Sequence, residues 1–150
     1  IATGRTVLIE DGILKNYLYN SYTAYKDKTN STGNAVRSFR STPEIGATNL
    51  FIDGGKTSKD ELLKGIKTGF YITEVMGMHT ANPISGDFSV GASGLLIENG
   101  KLTKPFRGAA IAGNLLDLFK KVDCVADDLK FFAGRGAPTL RIPDMTISGN

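Results

Sequence analysis

The chain of 150 residues has one cysteine, one histidine and no tryptophan, and it holds no apolar run long enough to span a bilayer. Each scarcity removes a class of function. The single cysteine, Cys124, cannot close an internal disulfide, so no covalent staple is expected and a small buried thiol is its plainest reading. The single histidine, His79, cannot supply the two imidazoles that a hydrolytic zinc helix presents beside a third ligand and a glutamate base. His79 and Cys124 stand 45 residues apart with no ligand pattern around either. A Ser-His-Asp arrangement is arithmetically available through His79 and Asp87, but no glycine-framed nucleophile elbow accompanies it. Gly54-Gly55 lacks the Lys-Ser/Thr that would make it a phosphate loop, and it reads, like Gly134-Arg135-Gly136, as a turn. Charge of one sign is scarce too: 18 basic against 15 acidic residues leave +3, scattered singly or in pairs such as Lys120-Lys121. That describes a soluble surface, not a nucleic-acid footprint. With neither a membrane span nor a signal peptide, the expected location is the cytoplasm.

Glycine, by contrast, is plentiful, at 18 residues where a chain of this length usually carries about 7%. Many tight turns between short strands follow. Leu8-Ile9-Glu10-Asp11-Gly12-Ile13-Leu14 sets Asp-Gly between apolar arms and predicts a hairpin, with Asn16-Tyr17-Leu18-Tyr19 continuing the return strand. Leu96-Ile97-Glu98-Asn99-Gly100-Lys101-Leu102 repeats the pattern, either as an internal duplication or as the same turn chemistry used twice. Leu50-Phe51-Ile52 reads as a short strand. Ser58 and Glu61 have capping-box spacing and predict a helix running into Leu62-Leu63. A second helix is expected over 114–121, capped by Asn114, with Asp117 in its first turn and lysines in its last. Leu129-Lys130-Phe131-Phe132, Thr139-Leu140-Arg141-Ile142 and Met145-Thr146-Ile147-Ser148 read as closing strands. The fold class is α+β, mostly antiparallel hairpins with two short helices, expected as one domain over 1–150. Residues 26–49 are polar and without period, which predicts a long loop, either disordered or lining a substrate or partner surface.

The most informative stretch is Met76-Gly77-Met78-His79-Thr80-Ala81-Asn82-Pro83-Ile84-Ser85-Gly86-Asp87-Phe88-Ser89-Val90-Gly91. A rigid polar loop, turned by Asn-Pro and Ser-Gly-Asp, opens onto a strand whose Phe88, Val90 and Ala92 point one way and whose Ser89, Gly91 and Ser93 point the other. The second face is nearly bare, so another backbone could lie against it, unless ordinary sheet packing accounts for the small residues. This stretch closely resembles the C-terminal domain signature of the TldD/PmbA family, once labelled modulators of DNA gyrase and now regarded as metalloprotease subunits. The likeness extends through Gly4-Arg5-Thr6-Val7-Leu8-Ile9-Glu10-Asp11-Gly12, Ser31-Thr32-Gly33-Asn34-Ala35 with Arg37, Gly94-Leu95-Leu96-Ile97-Glu98-Asn99-Gly100 and Ala112-Gly113-Asn114-Leu115-Leu116.

What the resemblance implies goes well beyond what spacing shows. The family pairs a TldD-like subunit, whose N-terminal half carries a zinc-binding helix and whose C-terminal half adds a cysteine ligand, with a PmbA-like (TldE-like) subunit that lacks the metal. Together they degrade or trim peptides in the bacterial cytoplasm, including microcin precursors and antitoxins. Phe131-Phe132-Ala133-Gly134-Arg135-Gly136-Ala137-Pro138 has no cysteine where a TldD-like chain places its ligand, and Met-Gly-Met-His-Thr-Ala-Asn-Pro is the PmbA wording. The expectation is a C-terminal fragment, opening at Ile1, of a PmbA-like subunit. It is expected to have no cofactor or catalytic residue of its own, with zinc only in a TldD-like partner. The chain would pair with that partner or with itself and hold extended peptide through His79, Asn82, Ser85, Asp87 and Phe88. The alternative is a gyrase-modulating or nucleic-acid-associated module.

Overall fold

Two-residue turns with left-handed backbone organise the chain, as its Asp-Gly and Asn-Gly pairs dictate. In the computed structural model, which describes residues 1–149, β1 (Ile9–Glu10) and β2 (Ile13–Leu14) pair antiparallel with Ile9 opposite Leu14. Between them Asp11 and Gly12 sit at φ of 51° and 74°, the sign a type I′ turn needs at both positions. The return strand does not continue through Asn16–Tyr19 as expected. It stops at Leu14, and Asn20 instead starts a helix, α1 (Ser21–Lys26), which the sequence reading missed. The Asn20 side chain accepts from the Thr23 amide at 2.9 Å, and the Thr23 hydroxyl accepts from the Asn20 amide at 3.2 Å. This reciprocal cap satisfies two amides that a strand would have left to a neighbour.

The expected long loop over 26–49 contains one further hairpin, β3 (Ala35–Val36) against β4 (Glu44–Ile45). Strands this short carry no alternation to read. Elsewhere the segment is held by the Tyr19 carbonyl, which accepts from the amides of Thr32 and Asn34, both at 3.2 Å, and from the hydroxyls of Ser31 and Thr32. Then follow β5 (Leu50–Phe51) and α2 (Lys59–Lys64), the latter capped by the Ser58–Glu61 box and burying Leu62 and Leu63.

A meander comes next: β6 (Thr68–Met76), β7 (Asp87–Glu98) and β8 (Lys101–Asn114), with Asn99 and Gly100 at φ of 48° and 76° in the second I′-type turn. The chain closes through α3 (Leu115–Lys120), β9 (Cys124–Val125), β10 (Lys130–Phe132), β11 (Arg135–Ala137), β12 (Leu140–Arg141) and β13 (Thr146–Ser148). The α+β class is therefore as expected, with three short α-helices among the described residues instead of two. The β1–β2, β3–β4, β6–β7, β7–β8, β8–β13 and β9–β12 pairs are antiparallel, whereas β5 lies parallel to β11.

The described residues condense into two compact units, 1–51 with 131–136, and 52–130 with 137–149. The first is built from the two small hairpins, α1 and the β10-β11-β5 sheet. The second holds the four-stranded sheet, ordered β13-β8-β7-β6, so β6 is an edge. Along β7 the expected alternation buries Phe88, Val90 and Ala92. It breaks at Ser93, which is buried as well: the ladders on both sides shift register there, and the Ser93 hydroxyl donates to Glu74 at 3.2 Å. Next to this bulge, a Cβ on Gly94 would collide with the Tyr71 carbonyl. That small residue makes room for the strand's own neighbour, β6, by ordinary sheet packing.

Candidate functional site

Gly77 ends β6 in the left-handed region at φ 87°, where a side chain would be strained. The reversal leads into a single 3-10 turn, Met78–Thr80, closed by the Thr80 amide and hydroxyl, which both donate to the Gly77 carbonyl. His79 lies exposed on this turn, with no hydrogen-bond partner among the described residues.

Asn82 folds the next corner. Its side-chain oxygen accepts from the amides of Ile84 at 2.8 Å and Ser85 at 3.2 Å, while its backbone exchanges bonds with the Asp87 carbonyl and the Gly86 amide. An Asx turn of this kind is what Asn before Pro sets up. At its tip Ile84 is 95% exposed.

Asp87 fastens the far side. One carboxylate oxygen accepts from the Ser85 hydroxyl at 2.7 Å, and the other accepts from the Asn114 side-chain amide at 2.9 Å. Asn114 also donates to the Ser85 carbonyl at 2.8 Å, and its oxygen caps α3 by accepting from the Leu116 amide at 3.0 Å. The bond from Asn114 first, then that from Ser85, holds the Asp87 carboxyl below its ordinary range, so the carboxylate stays ionised. A loop with few apolar contacts thereby becomes a fixed ledge.

Of the five residues the sequence singled out, Asn82, Ser85 and Asp87 share this network and His79 stands beside it on the same connection. Phe88 differs. It is 9% exposed and packs over Gly113, its partner across the β7–β8 ladder, where a Cβ would lie 3.5 Å from the ring. It supports the ledge from beneath. Asn114 is the member that sequence reasoning treated only as a helix cap; no local pattern reveals that its second hydrogen-bonding group reaches 27 residues back.

A cleft flanks the network, lined by Ala112, Gly113, Asn114, Asp117 and Leu118 together with Lys121 and 144–146. Among the described residues no three of His, Cys, Asp and Glu converge. Cys124 lies half-buried on β9 opposite Arg141, whose guanidinium is taken by Asp123 at 2.8 Å. Among the described residues the donors do not assemble the three or four ligands that a zinc site needs.

A metallopeptidase-family domain is the class that this sheet, ledge and order of motifs define. The chain belongs to that family: residues 1–149 match the PmbA/TldA metallopeptidase C-terminal domain. It is 35% identical to the metalloprotease PmbA of Escherichia coli O157:H7 over 99% of its own length and 31% of that protein's. It is 41% identical to an uncharacterized protein of Methanocaldococcus jannaschii over 80% of its length and 28% of the relative's. The chain thus spans about a third of these curated relatives. Among solved structures it resembles TldE from Thermococcus kodakarensis, with a TM-score of 0.87 at 31% identity over 98% of this chain and 34% of that one. It also resembles a candidate modulator of a DNA gyrase from Thermotoga maritima, with a TM-score of 0.85 at 36% identity over 99% and 34%. Among the described residues no helix is long and apolar enough to cross a membrane.

Proposed function

We propose that this chain is the metal-free, peptide-holding C-terminal domain of a PmbA-like subunit that acts with a TldD-like catalytic subunit in cytoplasmic peptide proteolysis. The observation that carries the reading is the ledge locked by Asp87 and Asn114, which holds Asn82, Ser85 and His79 exposed where β6 hands over to β7. Preorganised polar groups cost little ordering entropy when a ligand arrives. The β6 edge beside them offers main-chain donors and acceptors, which bind extended peptide with little demand on its sequence. The absence of cysteine from 131–138 and the identity to PmbA support the assignment to the PmbA-like side. Zinc and the hydrolytic step then belong to the partner; pairing of the chain with itself is the competing arrangement.

Copurification of the full-length protein with a TldD-like chain, followed by peptide-cleavage assays of each alone and both together, tests this. Cleavage only by the pair supports the proposal. Full activity of this protein alone, lost on His79→Ala, overturns it.

One observation favours the nucleic-acid alternative: the first unit carries seven basic to four acidic residues while the second is balanced at eleven each. That unit also exposes Tyr22 beneath Lys26 and Phe39 beneath Arg40, with ring contacts of 4.7 and 4.8 Å. Salt-sensitive retention of DNA by the full-length protein would support it.

A further inference from the structure

Beside the ledge, β8 outruns its neighbour. β13 begins at Thr146, opposite Ala112, so the last two residues of β8, Gly113 and Asn114, pass beyond it, and the chain approaches β13 through Asp144 at φ 54°. The gap left at the end of the shorter strand is the cleft, and α3 forms its facing wall through Asp117, Leu118 and Lys121.

The cleft measures about 200 Å³. A cavity of about 150 Å³ suffices for a benzene ring, while whole small-molecule sites begin at about 300 Å³, so this one takes a single large side chain. Leu118 and Met145 are half-buried while Asp117, Lys121 and Asp144 are exposed, so the apolar pair lies deeper and the charges ring the opening. Those charges cancel. Lys120 pairs with Asp117 at 3.5 Å, and the Lys121 ammonium donates to the Asp144 main-chain carbonyl at 3.4 Å. A charged guest would meet no net charge and still lose part of its hydration, whereas an apolar one gains by leaving water.

Asn114 is both a wall of the cleft and a member of the ledge's network, so the two adjoin. From the β6 edge to β8 is two strand spacings, about 10 Å, which three extended residues span. We infer that the cleft is a specificity subsite, which takes one large apolar side chain, that of leucine, methionine or phenylalanine, from a peptide stretched along the ledge. The inference rests on the peptide-holding reading above and deepens it: the main chain is held with little regard to sequence, and one position acquires an apolar preference.

The test uses the full-length protein and fluorescein-labelled octapeptides of alanine, serine and threonine, capped at both ends, with leucine placed at each position in turn and Kd read by fluorescence anisotropy. At one position leucine should bind about five- to tenfold tighter than alanine, from about half the gain of complete burial, because the cleft is open to solvent. Lysine or glutamate there should do no better than alanine. Ala112→Phe, exposed on β8, fills the cleft and should erase the leucine preference with the thermal midpoint unchanged. A nuclear Overhauser contact between the peptide's leucine methyls and the Met145 methyl, which needs no variant, should accompany binding. Leucine no better than alanine at every position overturns the subsite alone, as does a preference for lysine or glutamate, one that survives in a folded Ala112→Phe, or the lack of any contact with Met145. A protein that binds none of these peptides overturns both the subsite and the peptide-holding reading.

Discussion

Asn114 donates its side-chain amide to Asp87 across 2.9 Å, and the same side chain caps α3 through its oxygen, so one carboxamide joins the start of a strand to the start of a helix. Asn114→Ala removes these two bonds and the one to the Ser85 carbonyl, and should cost about 1–2 kcal/mol from the cap alone, read as a lowered urea midpoint. Asn114→Asp keeps a capping oxygen but sets a second carboxylate against Asp87. The Asp87 carboxyl, now held low, should then titrate at higher pH, measurable by carbon NMR of that carboxyl.

Asp128 provides the pH-dependent case. Burial pushes its carboxyl up, but the amide and hydroxyl of Thr139, at 2.7 and 2.8 Å, and the nearby Lys59 charge outweigh burial and hold it below the ordinary value. A carboxyl depressed in the folded state binds its proton more readily when unfolded. Its contribution is complete above the ordinary carboxylate value and is lost as pH falls through the folded one. Urea midpoints from about pH 7 to about pH 3 should fall more steeply for the natural protein than for Asp128→Asn, the two curves converging in acid.

The paired turns allow a matched comparison, because Gly12 and Gly100 share the same φ to within a few degrees but differ in surroundings. A Cβ at Gly12 meets nothing within 4 Å, whereas at Gly100 it would lie 2.9 Å from the Lys64 Cα. Gly12→Ala should cost about 1–2 kcal/mol, the left-handed strain alone. Gly100→Ala should cost more, since α2 must also move, and thermal unfolding of the two variants would show the difference.

Phe88→Ala should cost about 3–5 kcal/mol in denaturant unfolding, the range for a buried ring. Phe88→Leu, which keeps an apolar filling over Gly113, should retain most of the stability and leave peptide Kd near that of the natural protein. A large loss of affinity in a stably folded Phe88→Leu would instead give the ring a direct place in binding.

Both I′-type turns, the Ser58–Glu61 and Asn114 caps and the shared face of Phe88, Val90 and Ala92 were legible in the sequence, because each rests on residue chemistry within a few positions. Asn20 was missed since its capping partner is Thr23, not the Glu or Gln that marks the commoner box. The hairpin of residues 35–45 is too short for periodicity, and the bulge at Ser93 depends on Glu74, which the strand's own pattern does not contain. At the ledge, Asn82, Ser85 and Asp87 could be read from Asn-Pro-x-Ser-Gly-Asp turn chemistry. Phe88 was grouped with them by adjacency, yet strand alternation turns it inward. The cleft beside α3 depends on where β13 stops against β8, and no neighbour in sequence announces it.

The parallel pairing of residues 50 and 135 has a kinetic consequence. On a ribosome the β6–β8 meander, made of contacts between successive strands, can assemble while β11 has yet to emerge. The first unit stays unsealed until residue 135 has been made, long after residue 50, and closing so long a loop is an entropic barrier met late. Refolding should accordingly show two phases, with the exchange protection of β5 amides trailing that of β7 and β8.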